Sequence, residues 1–298
     1  MIIAIIVTYK PSLIELSHLI DLLINQVDRI IIVHNGSASE VNSLLADRND
    51  PHIYPMPLGT NMGIATAHNA GIAWAKEQGA KYVVLFDQDS QPAPDMIQNL
   101  LTASLQMSEK GYAVAAIGPN YLDPRQNNPP PFIRINGLRL ERCACPKSDS
   151  IVPVDYVISS GCLIPISTLD VVGHMVDDLF IDYVDIEWGL RAKQLGYQSF
   201  GACNAPMLHS LGENPIKFFG RQIPLHSPLR HYYHFRNAIW LYRQASVPLN
   251  WKIVDGWRLF LKYGFYTLFA QPRFKHFKMM TLGIWHGFRG RMGKLDYA

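Results

Sequence analysis

The chain has 298 residues, of which 48% are hydrophobic and 17% charged, and a formal net charge of +3. This is enough apolar material for one large domain or two small ones with a real core, and it excludes a disordered or low-complexity chain. Four cysteines, Cys143, Cys145, Cys162 and Cys203, include one C-x-C and no C-x-x-C. That pattern signals neither a zinc site nor a disulfide framework and points to a reduced, cytoplasmic setting.

The amino terminus, MIIAIIVTYKP, is apolar over too few residues for a signal peptide and has no basic stretch before it, so it reads as a first strand. Leu13, Leu16, Leu19, Ile20 and Leu23 then recur at helical spacing. Arg29 to His34 repeats the strand signal and ends in Asn35-Gly36-Ser37, and a short helix follows around Val41, Leu44 and Leu45. Ile53 to Pro57 reads as a weaker strand, Gly59 to Gly63 as a loop and Ile64 to Gln78 as a helix. Tyr82 to Ser90, YVVLFDQDS, reads as a buried strand that delivers Asp87 and Asp89 to its carboxyl end. A helix over Pro94 to Lys110 and a strand over Ala113 to Gly118 complete an alternation that predicts an α/β fold with a mostly parallel sheet covered on both faces.

Beyond Pro119 the rhythm changes. Asp123 to Pro131 is rich in Pro and Asn, and Phe132 to Arg142 alternates around Asn136-Gly137, a strong hairpin signal. Val152 to Ile158 reads as a strand, Ser159 to Cys162 as a tight turn, Phe180 to Leu195 as a helix entered through acidic residues, and Gln198 to Ala202 as a strand leading to His209. From His226 onward the chain turns aromatic and basic, with three helical segments punctuated by Pro248 and Pro272. The net charge conceals a split: residues 1–216 carry −9 and residues 217–298 carry +12. No segment reaches the run of about 18 apolar residues that spans a bilayer. Aromatic residues mixed with Lys and Arg fit helices lying at a membrane interface and equally a helical subdomain packed on the body.

Asp87 and Asp89 leave their strand at the edge where open α/β sheets bind ligands, and a hard cation such as Mg²⁺ takes one or two carboxylates plus substrate phosphates. A strand ending in D-x-D therefore suggests a nucleotide diphosphate, although the same residues also suit an acidic turn before a helix. Loops carrying Thr8-Tyr9, Asn35-Gly36-Ser37 and Asn61-Met62-Gly63, with Asn69 and Gly71 beyond, converge on the same edge.

The ordered set VTYKP, VHNGS, NMGIATAHNAG, DQDS and DYVDIEWGLR resembles the inverting GT-A glycosyltransferases of family 2, and within them the bacterial dTDP-rhamnosyltransferases of O-antigen and related surface polysaccharides. The likeness runs over roughly residues 1–240. It implies a GT-A catalytic domain over 1–225, with a donor-binding half to about residue 118 and an acceptor half beyond, followed by a helical, membrane-associating region over 226–298. It implies a Mg²⁺ or Mn²⁺ ion held by Asp89, with Asp87 reaching metal, ribose or sugar, and His209 near metal and diphosphate. Asp185 falls on the catalytic base and Glu187 on the second acidic position, with Arg191 aligned beyond them and Asp182 capping the helix. Thr8 and Tyr9 would flank the base, and Asn35 opens the Asn-Gly-Ser turn at the same base-binding end. His34 stands where the family usually has an Asp and would accept from the pyrimidine through a ring nitrogen. Asn61 and Gly63 would approach ribose or base, and Ser159 to Cys162, with Gly161, the donor sugar.

The expected reaction is transfer of L-rhamnose from dTDP-L-rhamnose to a lipid-diphosphate-linked saccharide at the inner face of the cell membrane, with UDP-hexose or UDP-galactofuranose as other donors. A Rossmann dehydrogenase is disfavoured because VTYKPS lacks G-x-G-x-x-G, and a sugar nucleotidyltransferase because Lys10 alone is a poor substitute for a basic, glycine-rich loop. The aromatic, basic tail carries no nucleic-acid recognition motif.

Overall fold

The fold follows from two kinds of strand, those buried on both faces and those that close the sheet. The computed structural model describes residues 1–37, 39–123, 132–208, 216–218 and 221–295. In the amino-terminal half, β1 (Ile2–Thr8), α1 (Leu13–Leu23), β2 (Arg29–His34), α2 (Ser39–Arg48), β3 (Ile53–Pro57), α3 (Ile64–Glu77) and β4 (Tyr82–Asp87) alternate as expected. A two-residue strand β5 (Gln91–Pro92), α4 (Met96–Glu109) and β6 (Val114–Leu122) follow. Next come the hairpin β7 (Phe132–Asn136) and β8 (Arg139–Cys143), then β9 (Ile151–Val154), β10 (Leu163–Pro165) and α5 (Ile166–Val172). A single 3-10 turn (Asp177–Leu179) leads to α6 (Val184–Gln194) and β11 (Gln198–Leu208). The chain closes with the small hairpin β12 (Ile216–Phe218) and β13 (Arg221–Ile223) and with α7 (Pro228–Tyr242), α8 (Leu249–Phe269) and α9 (Arg273–Arg289). Of the Pro- and Asn-rich stretch, residues 124–131 lie outside the described residues.

One sheet runs in the order β3-β2-β1-β4-β10-β6-β11-β5, with β9 also on β11. β3, β2, β1 and β4 are parallel, and β10 inserts antiparallel between β4 and β6. Register sets Thr8 beside His34 and Val7 beside Asp87, so the carboxyl ends of three strands finish side by side. The central strands read as continuous apolar runs because each face is covered. Ile3, Ile5, Val7, Ile31 and Val33 pack in one core with residues of α3 and α6, while Ala4, Ile6, Ile30 and Ile32 pack in the other with α1 and α4.

Two expectations are corrected here. The helix read from Phe180 begins only at Val184, because Phe180, Asp182 and Tyr183 hold left-handed backbone angles, with φ of 64°, 65° and 64°. A helix cannot pass through such residues. The cysteines do form a disulfide, Cys145–Cys203, joining the segment after β8 to β11; the partners are 58 residues apart and only the sheet brings them together. Cysteine usage therefore gives no argument for a reducing compartment.

α7 belongs to the body of the protein. Phe235, Ala238 and Leu241 share a core with Tyr183 and Leu190 around α6 and with Trp251 of α8. α9 crosses α7 closely at Gly283 and Gly287: a Cβ on Gly283 would lie 2.4 Å from the Tyr232 carbonyl oxygen, and one on Gly287 2.6 Å from that of Arg236. No helix among the described residues is long and apolar enough to cross a membrane. Gly283→Ala is expected to separate α9 from α7 at a cost of about 1–3 kcal/mol, lowering the melting temperature by roughly 5 °C; an unchanged thermal transition would disprove the close crossing.

Candidate active site

A cleft of about 660 Å³ opens at the carboxyl ends of β1, β2 and β4, within the size range of ligand sites. Its walls come from four directions: Tyr9 and Asn35; Asn61 and Gly63; Asp87, Gln88 and Asp89; and Ser159-Ser160, the 180–186 segment, Arg230 and His234. The register of the parallel strands therefore does bring the sequence-predicted loops together.

On the β1 side of the cleft, Tyr9 is exposed, and its backbone N–H donates to Gln88 Oε1 at 2.8 Å, which ties the β1 loop to the β4 loop. Asn35 Oδ1 accepts from the Met62 amide at 2.7 Å, and Asn61 Oδ1 from the Gly63 amide at 3.0 Å. Gly63 lines the cleft, yet what demands a glycine there is protein: a Cβ would fall 2.6 Å from the Phe180 carbonyl oxygen. The same oxygen accepts from the Ile64 amide at 2.6 Å. Thr8 and His34 are placed differently from the expectation. Both are buried, and Thr8 Oγ1 bonds His34 Nδ1 at 2.7 Å while His34 Nε2 meets the Ser37 carbonyl. A carbonyl only accepts, so Nε2 donates and Nδ1 accepts from the threonine hydroxyl. His34 thus spends its acceptor inside the protein and shapes the turn that presents Asn35.

Asp87 and Asp89 are half-buried in the cleft wall at the end of β4. The turn is held by the Ser90 amide on the Asp87 carbonyl at 3.2 Å and by a hydroxyl contact between Ser90 and Ser160. Among the described residues no group of three or more His, Cys, Asp or Glu side chains could hold a metal ion. Two carboxylates on one open wall nonetheless suit a cation that takes its other ligands from substrate oxygens and water. His209 lies outside the described residues.

Across the cleft, Asp185 stands in the first turn of α6. Burial pushes its carboxyl up to about 6; neighbouring Asp182 adds to the rise, and the amides of Ile186, at 2.9 Å, and Ser159 oppose it. A carboxylate taken partly out of water is a stronger base than an exposed one. Asp182 does not cap α6: the cap position is Tyr183, and Asp182 pairs with Arg230 at 3.2 Å.

Arg230 is a functional candidate that sequence reasoning missed. It sits three residues after the Ser227 cap of α7, where the helix dipole disfavours a cation. Asp182 makes that position tenable and raises the guanidinium's pKa, with Asp87 and Asp185 contributing at longer range. The Ser-Pro helix start was visible, but nothing local says which cleft that first turn faces. His234, one helical turn on, contacts Lys262 Nζ through Nε2 at 3.0 Å and is kept neutral by burial and by that cation.

Four predicted donor-site residues do other work. Asn69 bonds the Met175 carbonyl and amide and Asp177, fastening α3 to the segment before the 3-10 turn. Gly161 has φ of 76° and no room for a Cβ against Pro119 and Met207. Glu187 is buried and grips Arg191 through two bonds of 2.8 Å, while Arg191 also reaches the carbonyls of Val172 and His174. That ion pair docks α6 on α5 and does not line the cleft.

Residues 4–151 match the family model for glycosyl transferase family 2. The chain is also 37% identical, over 83% of its own length and 81% of the relative's, to the dTDP-rhamnosyl transferase RfbF of Shigella flexneri. The chain belongs to glycosyl transferase family 2. A galactofuranosyltransferase, GlfT1 of Mycolicibacterium smegmatis, is 25% identical over 82% of this chain and 81% of that protein. Among solved structures, GalNAc-T7 with UDP, GalNAc and Mn²⁺ shares the fold at a TM-score of 0.60 and 11% identity, covering 97% of this chain and 56% of that one. The protein is a glycosyltransferase, built on the GT-A fold.

The raised carboxyl has a consequence for stability. Its folded value of about 6 lies above the ordinary aspartate value of 3.8, so the folded state binds the extra proton and loses stability as pH rises between them. Asp185→Asn is therefore expected to melt higher than the wild type at about pH 7.5, the gap closing below about pH 4; equal melting temperatures across that range would refute the raised value.

Proposed function

We propose that this glycosyltransferase moves L-rhamnose from dTDP-L-rhamnose to a hydroxyl of a lipid-diphosphate-linked saccharide, by a single inverting displacement. The observation that carries the reading is the placement of Asp185, poised near pH 6, across one cleft from the Asp87 and Asp89 carboxylates. The donor identity is supported by the 37% identity to a dTDP-rhamnosyl transferase. A galactofuranose donor is the second reading, favoured by the 25% identity to GlfT1.

In this reading Tyr9 and Asn35 flank the base, and Asp87 and Asp89 face the diphosphate. A divalent ion bound there, Mg²⁺ or Mn²⁺, would neutralise charge on the departing diphosphate. Arg230 lines the same cleft, within electrostatic reach of Asp87, and adds a second positive charge. The acceptor oxygen attacks the anomeric carbon, and its proton passes to Asp185. The anomeric carbon–oxygen bond breaks with its electron pair going to dTDP. A base with a pKa near the working pH combines a large ionised fraction with real proton affinity.

The acceptor is anchored in lipid, so the enzyme must meet a membrane. Trp257, Phe260 and Leu261 of α8 and Phe274, Trp285 and Phe288 of α9 are exposed. They lie in the segment that carries 14 Lys and Arg against 2 Asp and Glu, a composition suited to an anionic leaflet.

Asp185→Asn is expected to abolish turnover while donor still raises the melting temperature, and the wild-type rate should fall below about pH 6 as Asp185 protonates. Asp89→Ala should lose the thermal protection given by nucleotide sugar plus Mg²⁺ or Mn²⁺. A panel of nucleotide sugars read by hydrolysis and thermal shift identifies the donor, and full turnover by Asp185→Asn would remove the base assignment. The full chain should sediment with vesicles containing phosphatidylglycerol and not with phosphatidylcholine alone, and the pair Trp257→Glu, Phe260→Glu should stay in solution; wild-type protein indifferent to lipid charge would defeat the membrane reading.

A further inference from the structure

The segment that delivers Asp185 cannot hold its own shape. Phe180, Asp182 and Tyr183 take left-handed angles within four residues, a conformation that side-chain-bearing residues adopt rarely and at a cost. The surrounding backbone carbonyls are also turned out of any helix or sheet. The Ile181, Ile64 and Gly293 amides serve the carbonyls of Leu179, Phe180 and Asp178, and the side-chain donors come from α7, some 55 residues further along. Asn237 Nδ2 donates to the carbonyls of Leu179 at 2.9 Å, Ile181 at 2.8 Å and Asp182 at 2.9 Å. Arg236 Nη2 reaches the carbonyls of Asp178 and Leu179, each at 3.0 Å, and its Nη1 reaches that of Gly293. Arg236 Nε donates to Asn237 Oδ1 at 2.9 Å, fixing which way the amide faces.

Both side chains are wholly buried, at 0% exposure. A guanidinium out of water is costly unless its donors are matched, and here they meet carbonyls and an amide, while the cation lies over the Tyr232 and Tyr233 rings at 5.5 and 4.9 Å. Tyr233 in turn stacks on Phe180, ring centres 4.9 Å apart. Five of the pair's side-chain hydrogen bonds thus converge on the segment immediately before Asp185, and the ring stack reaches the same segment at Phe180.

We infer that Arg236 and Asn237 are positioning residues: by supplying donors to the carbonyls of residues 178–182 they hold the strained segment that sets the direction and the half-buried environment of the Asp185 carboxyl. The inference rests on Asp185 acting as the base. Neither residue touches the cleft, so the pair acts on catalysis through backbone alone.

Asn237→Asp tests this in the full chain. The carboxylate keeps the side chain's shape and still accepts from Arg236 Nε, and it removes the amide donors. With dTDP-L-rhamnose and Mg²⁺, and water as acceptor, kcat for donor hydrolysis is expected to drop about 100-fold, the size of a misplaced reacting group. The donor KM should stay within about threefold, and the acid limb should move from near 6 toward an ordinary carboxylate value. A general loss of folding would instead lower active-enzyme concentration and leave the limb in place. Should Asn237→Asp not fold, Asn237→Ser, which retains one donor, carries the same readouts. An unchanged kcat and acid limb in a folded variant, with Asp185→Asn inactive in the same assay, overturns the positioning role alone; a fully active Asp185→Asn overturns the base assignment beneath it.

Discussion

The structure depends on satisfying a few backbone carbonyls that belong to no regular element. Between the 3-10 turn and α6 the chain adopts three left-handed residues, and the oxygens it exposes find donors on α7 and at the start of α3. Buried carbonyls without partners would forfeit far more than any one contact in the cleft supplies. For this reason α7, although it lies late in the chain and in its basic portion, is part of the body that lines the cleft. The Phe180 carbonyl performs the matching task at α3, where it caps the first turn and leaves room only for Gly63.

The cleft has two unlike walls. At the end of β4, Asp87 and Asp89 are half-buried on a tight turn, open to a cation and to phosphate oxygens. Opposite, the carboxyl of Asp185 is withdrawn from water and raised to about 6. In the proposed reaction, carboxylates in such different environments would divide the labour of charge neutralisation and proton transfer. Arg230 sits between the two regimes, paired with Asp182 and within electrostatic reach of both Asp87 and Asp185.

Much of this was legible in the sequence, and the failures have a common cause. The strands ending at Thr8, His34 and Asp87 show as apolar runs because both faces of the sheet are covered, and Asn136-Gly137 marks the β7–β8 hairpin by its own turn chemistry. Asp185 is marked in the sequence by its order among neighbouring motifs, and the structure sets it in the cleft wall. What escaped were pairings fixed only by tertiary contact: Cys145 with Cys203, Arg230 with Asp182, Arg236 and Asn237 with the 178–182 carbonyls. Residues 180–183 read as helix because acidic residues suit a helix amino terminus, and nothing local announces their left-handed angles. His34, Asn69, Glu187 and Arg191 look like ligand residues in the sequence because polar residues near a site resemble each other whether they face substrate or brace the wall.

The place of β10 bears on how the protein is made. Its three residues stand antiparallel between β4 and β6, yet they follow β6 by some forty positions. On the ribosome, β1 to β4 and β6 emerge before the strip that joins them, so the nascent sheet carries an open seam with unpaired amides and carbonyls on both lips until Leu163 arrives. Closing that seam is a non-local event, slow by its topology. The two halves of the sheet are therefore joined only after the hairpin excursion has been synthesised.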